Sequence, residues 1–219
     1  MFTRIKVVGR GRVGGAIAGR LAGRGLLVEG DDADLVLLCV PDAAIRDVAR
    51  AMRPGPWIAH VSGATPLSAL DPHSIRFGLH PLQTFTRDRG PEQLDGAWAA
   101  VTGEHDDARM RGRWLAEQLG LRAFDMTEKS RVLYHAGAVM ASNYLVTLFR
   151  AAARLVNTAG APEEALLPLM RRTIDNGFDL TGPIARGDWS TVDAHLDAIR
   201  RSTPDLEPVY RALAEATAR

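Results

Sequence analysis

Three glycines near the start of the chain have the spacing of a loop that binds the phosphates of a dinucleotide. Gly9, Gly11 and Gly14 follow the apolar run Ile5–Val8 and precede a segment whose apolar residues recur at helical spacing. In such a loop the first glycine permits a tight turn, the second lets the backbone approach a pyrophosphate, and the third lets the helix pack on the strand. The helix N-terminus supplies the anion site. The other predicted members of this binding loop are Arg10, Arg12 and Val13.

The same loop leaves the choice of dinucleotide open. An acidic residue about 20 positions further on binds the ribose hydroxyls of NAD, and Glu29 has this position. Arg10 and Arg12 could instead pair with the 2′-phosphate of NADP. The predicted cofactor is therefore NADP or NAD.

The segment after the first predicted helix is unusually short. Residues 26–28 predict a second strand, but the interval between Gly25 and Asp34 leaves no room for the crossover helix that normally follows. We expect the adenosine side of the pocket to be open. Because of this open pocket, the alternative hypothesis is a non-catalytic ligand-binding or scaffold protein whose cofactor pocket is degenerate. A third hypothesis is an enzyme that uses another redox carrier, such as a deazaflavin, in the same crevice.

Polar residues follow three further predicted strands. Because ligands of a doubly wound sheet lie beyond the carboxyl ends of its strands, these residues should meet at one crevice. We expect Val40, Pro41 and Ser62 to line the cofactor site, and His80 and Gln83 to bind substrate. A turn or capping role is the alternative for the serine and the histidine. No nucleophile-elbow spacing supports hydrolysis by a serine–histidine pair.

The order of the predicted elements gives the fold class. Residues 1–126 alternate strands and helices, which predicts a Rossmann-like doubly wound parallel sheet. Strands are predicted at 5–8, 26–28, 34–40, 57–61, 75–79, 97–102 and 121–124, and helices at 16–22, 45–52 and 107–119. Residues 127–219 predict an all-helical domain for substrate binding, with helices at 132–155, 162–174, 190–200 and 204–218.

Composition disfavours several classes of function. The chain has 219 residues, of which 46% are hydrophobic, so it can bury a core in one or two domains. Its net charge of +1 offers no surplus for nucleic acid. The single Cys39 forms no intrachain disulfide and the histidines lack metal-ligand spacing, so we expect a cytoplasmic location and no metal. The longest apolar run, 35–41, is far below the roughly 18 residues of a membrane span, so no membrane partner is expected.

The chain resembles, over nearly its whole length, Rossmann-like proteins of the 6-phosphogluconate dehydrogenase-like superfamily whose helical C-terminal domain is a domain of unknown function. The resemblance rests on the glycine turn, the strand end 38–42 and the segments 78–85, 134–143 and 181–188, of which the last two are the more specific. It implies an NAD(P)-dependent oxidoreductase related to pyrroline-5-carboxylate and ketopantoate reductases. Such an enzyme moves a hydride to or from a small carbonyl or imine compound, and the resemblance also implies a homodimer packed through the helical domain.

The resemblance also implies the catalytic residues, because related reductases hold and protonate the substrate with a Lys or Asn on a helix. It makes Lys129, His135, Ser142 and Asn143 the catalytic candidates. We expect His135 to donate the proton, since an unperturbed histidine pKa of about 6.5 suits exchange at neutral pH. Asn143 would orient the substrate or the nicotinamide. The alternative is that the histidine lies at an interface and the asparagine joins two helices.

The loop 181–188 supplies one further candidate. Arg186 is predicted to bind substrate, with an ion pair to Asp188 that fixes the loop as the alternative.

Overall fold

The computed structural model describes residues 1–219 and divides them into two compact units, Met1–Val139 and Met140–Arg219. The division lies later in the chain than the change of pattern at residue 127 suggests. Helix α4, Arg131–Val139, belongs to the first unit because its first residue is buried against that unit's strands.

The first unit is built on one six-stranded sheet with the strand order 1-2-3-4-5-6. The strands are β1 Ile5–Val8, β2 Leu35–Leu38, β3 Trp57–His60, β4 Arg76–Leu82, β5 Trp98–Thr102 and β6 Arg122–Asp125. The α/β prediction is confirmed, but the sheet is not wholly parallel, since β5 runs antiparallel to β4. The reason is the connection between them, which contains only the 3₁₀ turn Pro91–Leu94 and no crossover helix.

The predicted strand at 26–28 is wrong. Leu27 forms only an isolated parallel bridge with Ile5, held by Ile5 N–H to Leu26 O at 2.8 Å and Val28 N–H to Ile5 O at 2.9 Å. A single partner residue on β1 is too little for a ladder. No helix lies between Gly25 and β2, so the missing crossover helix is confirmed.

Helices cover both faces of the sheet. Besides α4 the first unit contains α1 Arg12–Gly23, α2 Ile45–Ala51 and α3 Asp106–Leu119. On one face Ile17 of α1 and Leu115 of α3 pack against Leu37, and on the other Ile45 of α2 packs with Leu38. Strand β2 is buried throughout because its alternating side chains enter the two cores in turn.

The second unit is helical, as predicted. It contains a π-helical turn, Met140–Tyr144, then α5 Leu145–Thr158, α6 Leu166–Asp175, α7 Trp189–Ser202 and α8 Glu207–Thr217. The predicted helix over 132–155 is therefore interrupted by the π turn. The buried cluster of this unit consists of only Val192, Leu196 and Ala214.

Candidate functional site

The glycine turn joins β1 to α1, and two of its glycines are required by packing. Gly9 has a φ of +97°, and a Cβ there would lie 2.5 Å from the carbonyl oxygen of Cys39. A Cβ on Gly14 would lie 2.0 Å from the carbonyl oxygen of Gly9. Gly11 is different, since its Cβ would meet nothing within 4 Å. Its open backbone at the N-terminus of α1 leaves space that a pyrophosphate can occupy.

A cavity of about 330 Å³ adjoins this turn and is rich in arginine. It is lined by Arg10, Gly11, Arg12, Gly15, Ala16, Thr86, Arg87, Arg89 and Gly90. Arg12 and Arg87 have no carboxylate partner in the chain, whereas the Arg89 Nε lies 3.6 Å from Glu92. The unpaired guanidinium groups beside a helix N-terminus suit a phosphate.

The sequence analysis did not predict the part of the cavity lining that follows β4, residues 86–90. The run Thr86-Arg87-Asp88-Arg89-Gly90 contains two arginines in a loop, but only the fold shows that this loop meets the glycine turn.

The two residues predicted to choose between NAD and NADP contact each other. Arg10 forms an ion pair with Glu29. The carboxylate is 78% exposed, so the pair is well solvated and adds little stability. A ligand can therefore displace it at small cost, although in the free protein Glu29 is already engaged.

A second group of polar side chains lies near the ends of β3 and β4. This histidine group consists of His60, His80, Arg131, Tyr134 and His135. His80 Nδ1 lies 2.8 Å from the Tyr134 hydroxyl, and the rings of His80 and His135 are 5.9 Å apart, centroid to centroid. A Cβ on Gly63 would lie 2.6 Å from His135 Nδ1 and 2.9 Å from His80 Nε2. The two imidazoles therefore pack against the backbone at Gly63, where only a glycine leaves room for them. The predicted residues His80 and His135 are brought together.

Arg131 is the buried cation of this group and is only 2% exposed. One guanidinium nitrogen donates to the Ser62 carbonyl at 3.1 Å, a second lies 3.3 Å from the Glu128 carboxylate, and Nε has no partner. A Cβ on Gly78 would lie 3.0 Å from the guanidinium. The hydrogen bond from Arg131 to Ser62 thus links the start of α4 to the end of β3.

Sequence reasoning missed His60, Arg131 and Tyr134. A usable signal was the i, i+3, i+4 spacing of Arg131, Tyr134 and His135, which places all three on one helix face. No comparable signal marks His60, whose burial depends on the sheet.

Two histidines of this group, His60 and His80, are neutral at pH 7. Burial lowers the pKa of His80 to about 4, helped by His135 and Arg131 and opposed by the Asp42 carboxylate. Burial also lowers the pKa of His60 to about 3, again with a contribution from Arg131. Burial raises the pKa of Tyr134 to about 12. His60, His80 and Tyr134 therefore offer neutral hydrogen-bond donors and acceptors over the physiological pH range.

These shifts predict that the protein loses stability in mild acid. Below pH 6.5 the unfolded histidines bind protons that His60 and His80 do not, so the free energy of unfolding falls as the pH drops towards 4. Each histidine contributes a slope of at most about 1.4 kcal/mol per pH unit. Urea unfolding at pH 7, 6 and 5 measures the effect in the wild type and in His60→Gln. Equal pH slopes for the two proteins would contradict the assignment for His60.

The other candidates of the first unit have diverse surroundings. The Ser62 hydroxyl donates to Asp42 at 2.7 Å and accepts from the N–H of Thr65 at 2.9 Å, so it holds a turn. Gln83 Oε1 accepts from the N–H of Thr84 at 2.9 Å. Lys129 is exposed in the 3₁₀ turn Glu128–Ser130. The remaining predicted cofactor-site residues lie at the glycine turn. Val13 packs on the core, and Val40 and Pro41 follow β2 beside Gly9.

Three predicted residues belong to the second unit. Ser142 and Asn143 lie in the π turn, with the serine hydroxyl 3.4 Å from the asparagine Oδ1. Arg186 donates to the carbonyl oxygen of Thr181 at 2.6 Å. Asp188 instead caps α7 through Thr191, so the predicted ion pair between Arg186 and Asp188 is wrong. The reason is that each side chain finds a partner in its own segment.

A mostly parallel sheet with helices on both faces and a glycine turn between β1 and α1 defines the Rossmann-like class of proteins. A family model described as a domain of unknown function (DUF2520) matches residues 97–217, more than half of the chain. The chain belongs to this family, so the predicted resemblance is confirmed.

Solved structures share the fold over almost the whole chain. A protein from Bacteroides fragilis named for NADP oxidoreductase activity is 19% identical, with a TM-score of 0.80 over 99% of this chain and 98% of that one. A semialdehyde dehydrogenase NAD-binding protein from Cupriavidus necator, in complex with calcium and NAD, is 17% identical, with a TM-score of 0.66 over 97% and 99%. A reductive aminase from Aspergillus terreus, in complex with NADPH and ethyl levulinate, is 16% identical, with a TM-score of 0.69 over 100% and 94%. No curated protein matches the chain by sequence.

Proposed function

We propose that this protein is an NAD(P)-dependent oxidoreductase that transfers a hydride to or from a small carbonyl or imine compound. The observation that carries the proposal is the glycine turn, open at Gly11 and bordered by unpaired arginines, in the same sheet whose strand ends hold the histidine group. The solved structures with NADPH and NAD bound support a dinucleotide as the cofactor.

The residues at the glycine turn fit the cofactor. The backbone of Gly11 and the guanidinium groups of Arg12 and Arg87 would hold its phosphates. Because Arg10 already engages Glu29 while two arginines stay unpaired, we expect NADP to bind more tightly than NAD. When bound, the reduced dinucleotide supplies the hydride.

The chain's own residues would bind and protonate the substrate. His80 and His135 lie beside each other against Gly63, where the two imidazoles can bind a polarised carbonyl or imine group and supply its proton. Gln83 and Arg186 remain substrate-binding candidates, and Lys129, Ser142 and Asn143 catalytic ones. Val40, Pro41 and Ser62 would border the nicotinamide.

Turnover tests this proposal directly. Purified protein is mixed with NADPH or NADH and panels of small carbonyl and imine compounds, and consumption of the reduced nicotinamide is followed by absorbance. We expect dinucleotide-dependent turnover of at least one compound, lost in His135→Ala and Asn143→Ala. Turnover that survives both substitutions would contradict the catalytic roles of these residues.

The second candidate function is a non-catalytic ligand-binding or scaffold protein. The observation that favours it is the absent crossover helix, which leaves the adenosine side of the turn open. Failure of both NADPH and NADH to bind a folded protein would support it. A different bound redox carrier, such as a deazaflavin, would instead support an enzyme of another cofactor class.

We also propose a cytoplasmic homodimer packed through the helical unit. Its buried cluster is small, while large apolar side chains on α5 and α6 are exposed, among them Leu145, Val146 and Leu169. The helical run Glu128–Thr158 has the length and composition of a membrane span, and no residue of its apolar 18-residue window is buried. A second copy of the chain would cover such a surface.

Light scattering tests the dimer. We expect a mass twice that of the 23.7 kDa chain, and a shift towards monomer for Val146→Asp with Leu169→Asp. The matched control is Glu164→Lys, which changes the charge of an exposed residue in the same unit. A monomer that floats with lipid vesicles would contradict the dimer and favour a membrane surface.

A further inference from the structure

Tyr134 contacts His80, and the sequence analysis predicted no role for this tyrosine. Its hydroxyl lies 2.8 Å from His80 Nδ1, and the two rings meet edge to face at 5.5 Å between centroids. Phe124 also packs on the phenol, at 5.9 Å between ring centroids. The tyrosine is half-buried and is held in place by its contacts with these two rings. A hydrogen bond in this position controls which nitrogen of His80 carries the proton.

The direction of this hydrogen bond follows from the lack of other acceptors. The Tyr134 hydroxyl has no second hydrogen-bond partner in the chain, so His80 Nδ1 is the one acceptor that the chain offers for its proton. The neutral imidazole then carries its own proton on Nε2. That nitrogen lies against Gly63, as does His135 Nδ1, which is buried and has no partner.

We propose that Tyr134 is a positioning residue that holds His80 in its Nε2–H tautomer, and that this fixed donor selects a carbonyl oxygen over a protonated imine as the group to be reduced. The inference rests on the proposed oxidoreductase function. A carbonyl oxygen has lone pairs that accept from Nε2–H. A protonated imine nitrogen has no lone pair and is itself a donor, so it does not match this site.

The proton balance of the reduction agrees with this arrangement. As the carbonyl carbon gains the hydride of the reduced dinucleotide, the π electron pair moves to oxygen. The oxygen takes the proton of His80 Nε2, and Nδ1 takes the hydroxyl proton of Tyr134. Water returns a proton to the tyrosinate, which is reachable because the side chain is only half-buried. Each transfer runs downhill because an alkoxide is a stronger base than a tyrosinate.

The charges around His80 keep it neutral for this role. Arg131 lies on one side and is paired with Glu128, and the Asp42 carboxylate accepts from the Ser62 hydroxyl at 2.7 Å. The Asp42 carboxylate favours protonation of His80, but burial, His135 and Arg131 lower the pKa of the imidazole by more, so the ring stays neutral. A neutral histidine acting as hydrogen-bond donor to a carbonyl is an established catalytic arrangement.

Nitrogen NMR of the dinucleotide-free protein tests the tautomer without any activity. In ¹⁵N-labelled wild type we expect His80 Nε2 to resonate as a protonated nitrogen and Nδ1 as an unprotonated one, with His80→Gln used to assign the signals. In Tyr134→Phe we expect the two signals to move towards each other as both tautomers become populated. A wild type protonated on Nδ1, or a Tyr134→Phe spectrum unchanged at His80, would overturn the inference.

Kinetics test the choice of substrate. For a carbonyl substrate we expect Tyr134→Phe to lower kcat about 10- to 100-fold with KM nearly unchanged, and His80→Gln, which keeps an N–H donor, to retain more activity than His80→Ala. Wild-type turnover of imines as fast as of carbonyls would overturn the substrate class while leaving the oxidoreductase function intact. Absence of any dinucleotide-dependent turnover would instead contradict the function, and the NMR result would still decide the tautomer.

Discussion

Replacement of Gly11 by alanine should abolish tight dinucleotide binding in a protein that remains fully folded. The added Cβ meets no atom within 4 Å, and the backbone at Gly11, with a φ of −70°, is open to alanine. The methyl group would, however, enter the space above the first turn of α1 where a phosphate must lie. We expect the Kd for NADPH to rise at least about 30-fold, equivalent to about 2 kcal/mol.

The matched control is Gly23→Ala at the other end of the same helix. Its Cβ also meets nothing within 4 Å, and Gly23 does not line the cavity. We expect its NADPH affinity to equal that of the wild type, and both variants to keep the wild-type melting temperature within a few degrees. Calorimetric titration measures the affinity and scanning calorimetry the stability. An unchanged Kd for Gly11→Ala would show that the cofactor does not lie on this turn.

Replacement of Gly63 by alanine should stop turnover without weakening the cofactor site. The Cβ would lie 2.6 Å from His135 Nδ1 and 2.9 Å from His80 Nε2, so one or both imidazoles must move. Displacement of a reacting group by about 1 Å commonly costs about 100-fold in rate. We expect kcat to fall at least about 100-fold, while the Kd for NADPH changes less than about threefold.

The control for this variant is Gly137→Ala in α4, whose Cβ meets nothing within 4 Å although it is close in sequence to His135. Steady-state kinetics with the best carbonyl substrate, together with NADPH titration, should separate the two variants clearly. Wild-type kcat in Gly63→Ala would contradict a catalytic role for the histidine pair.

The glycine turn could be predicted from sequence because its requirements are local. The close approach of Gly14 to Gly9 lies within a few residues of chain, and the four-residue strand before it is strongly apolar. The missing crossover helix could also be predicted, since the length of an interval limits the elements that fit in it. The family resemblance and the α/β fold are confirmed for the same reason: their signals are contiguous in sequence.

The histidine group could be predicted only in part because its geometry is tertiary. Arg131 is buried only because β3 and β4 end beside it, and His60 is neutral only because the sheet removes it from water. The reversed strand β5 depends on a connection that folds without a helix, which apolar periodicity does not reveal. Likewise the arginine-lined cavity joins residues 10–16 with 86–90, far apart in the chain.

Calorimetric titration of the wild-type protein with NADPH and with NADH tests the central claim most directly. We expect micromolar binding of at least one dinucleotide, tighter for NADPH, and weakened by added salt because arginines hold the phosphates. Absence of binding below millimolar concentrations of either dinucleotide, in a protein shown to be folded, would contradict the oxidoreductase function and favour a repurposed binding protein.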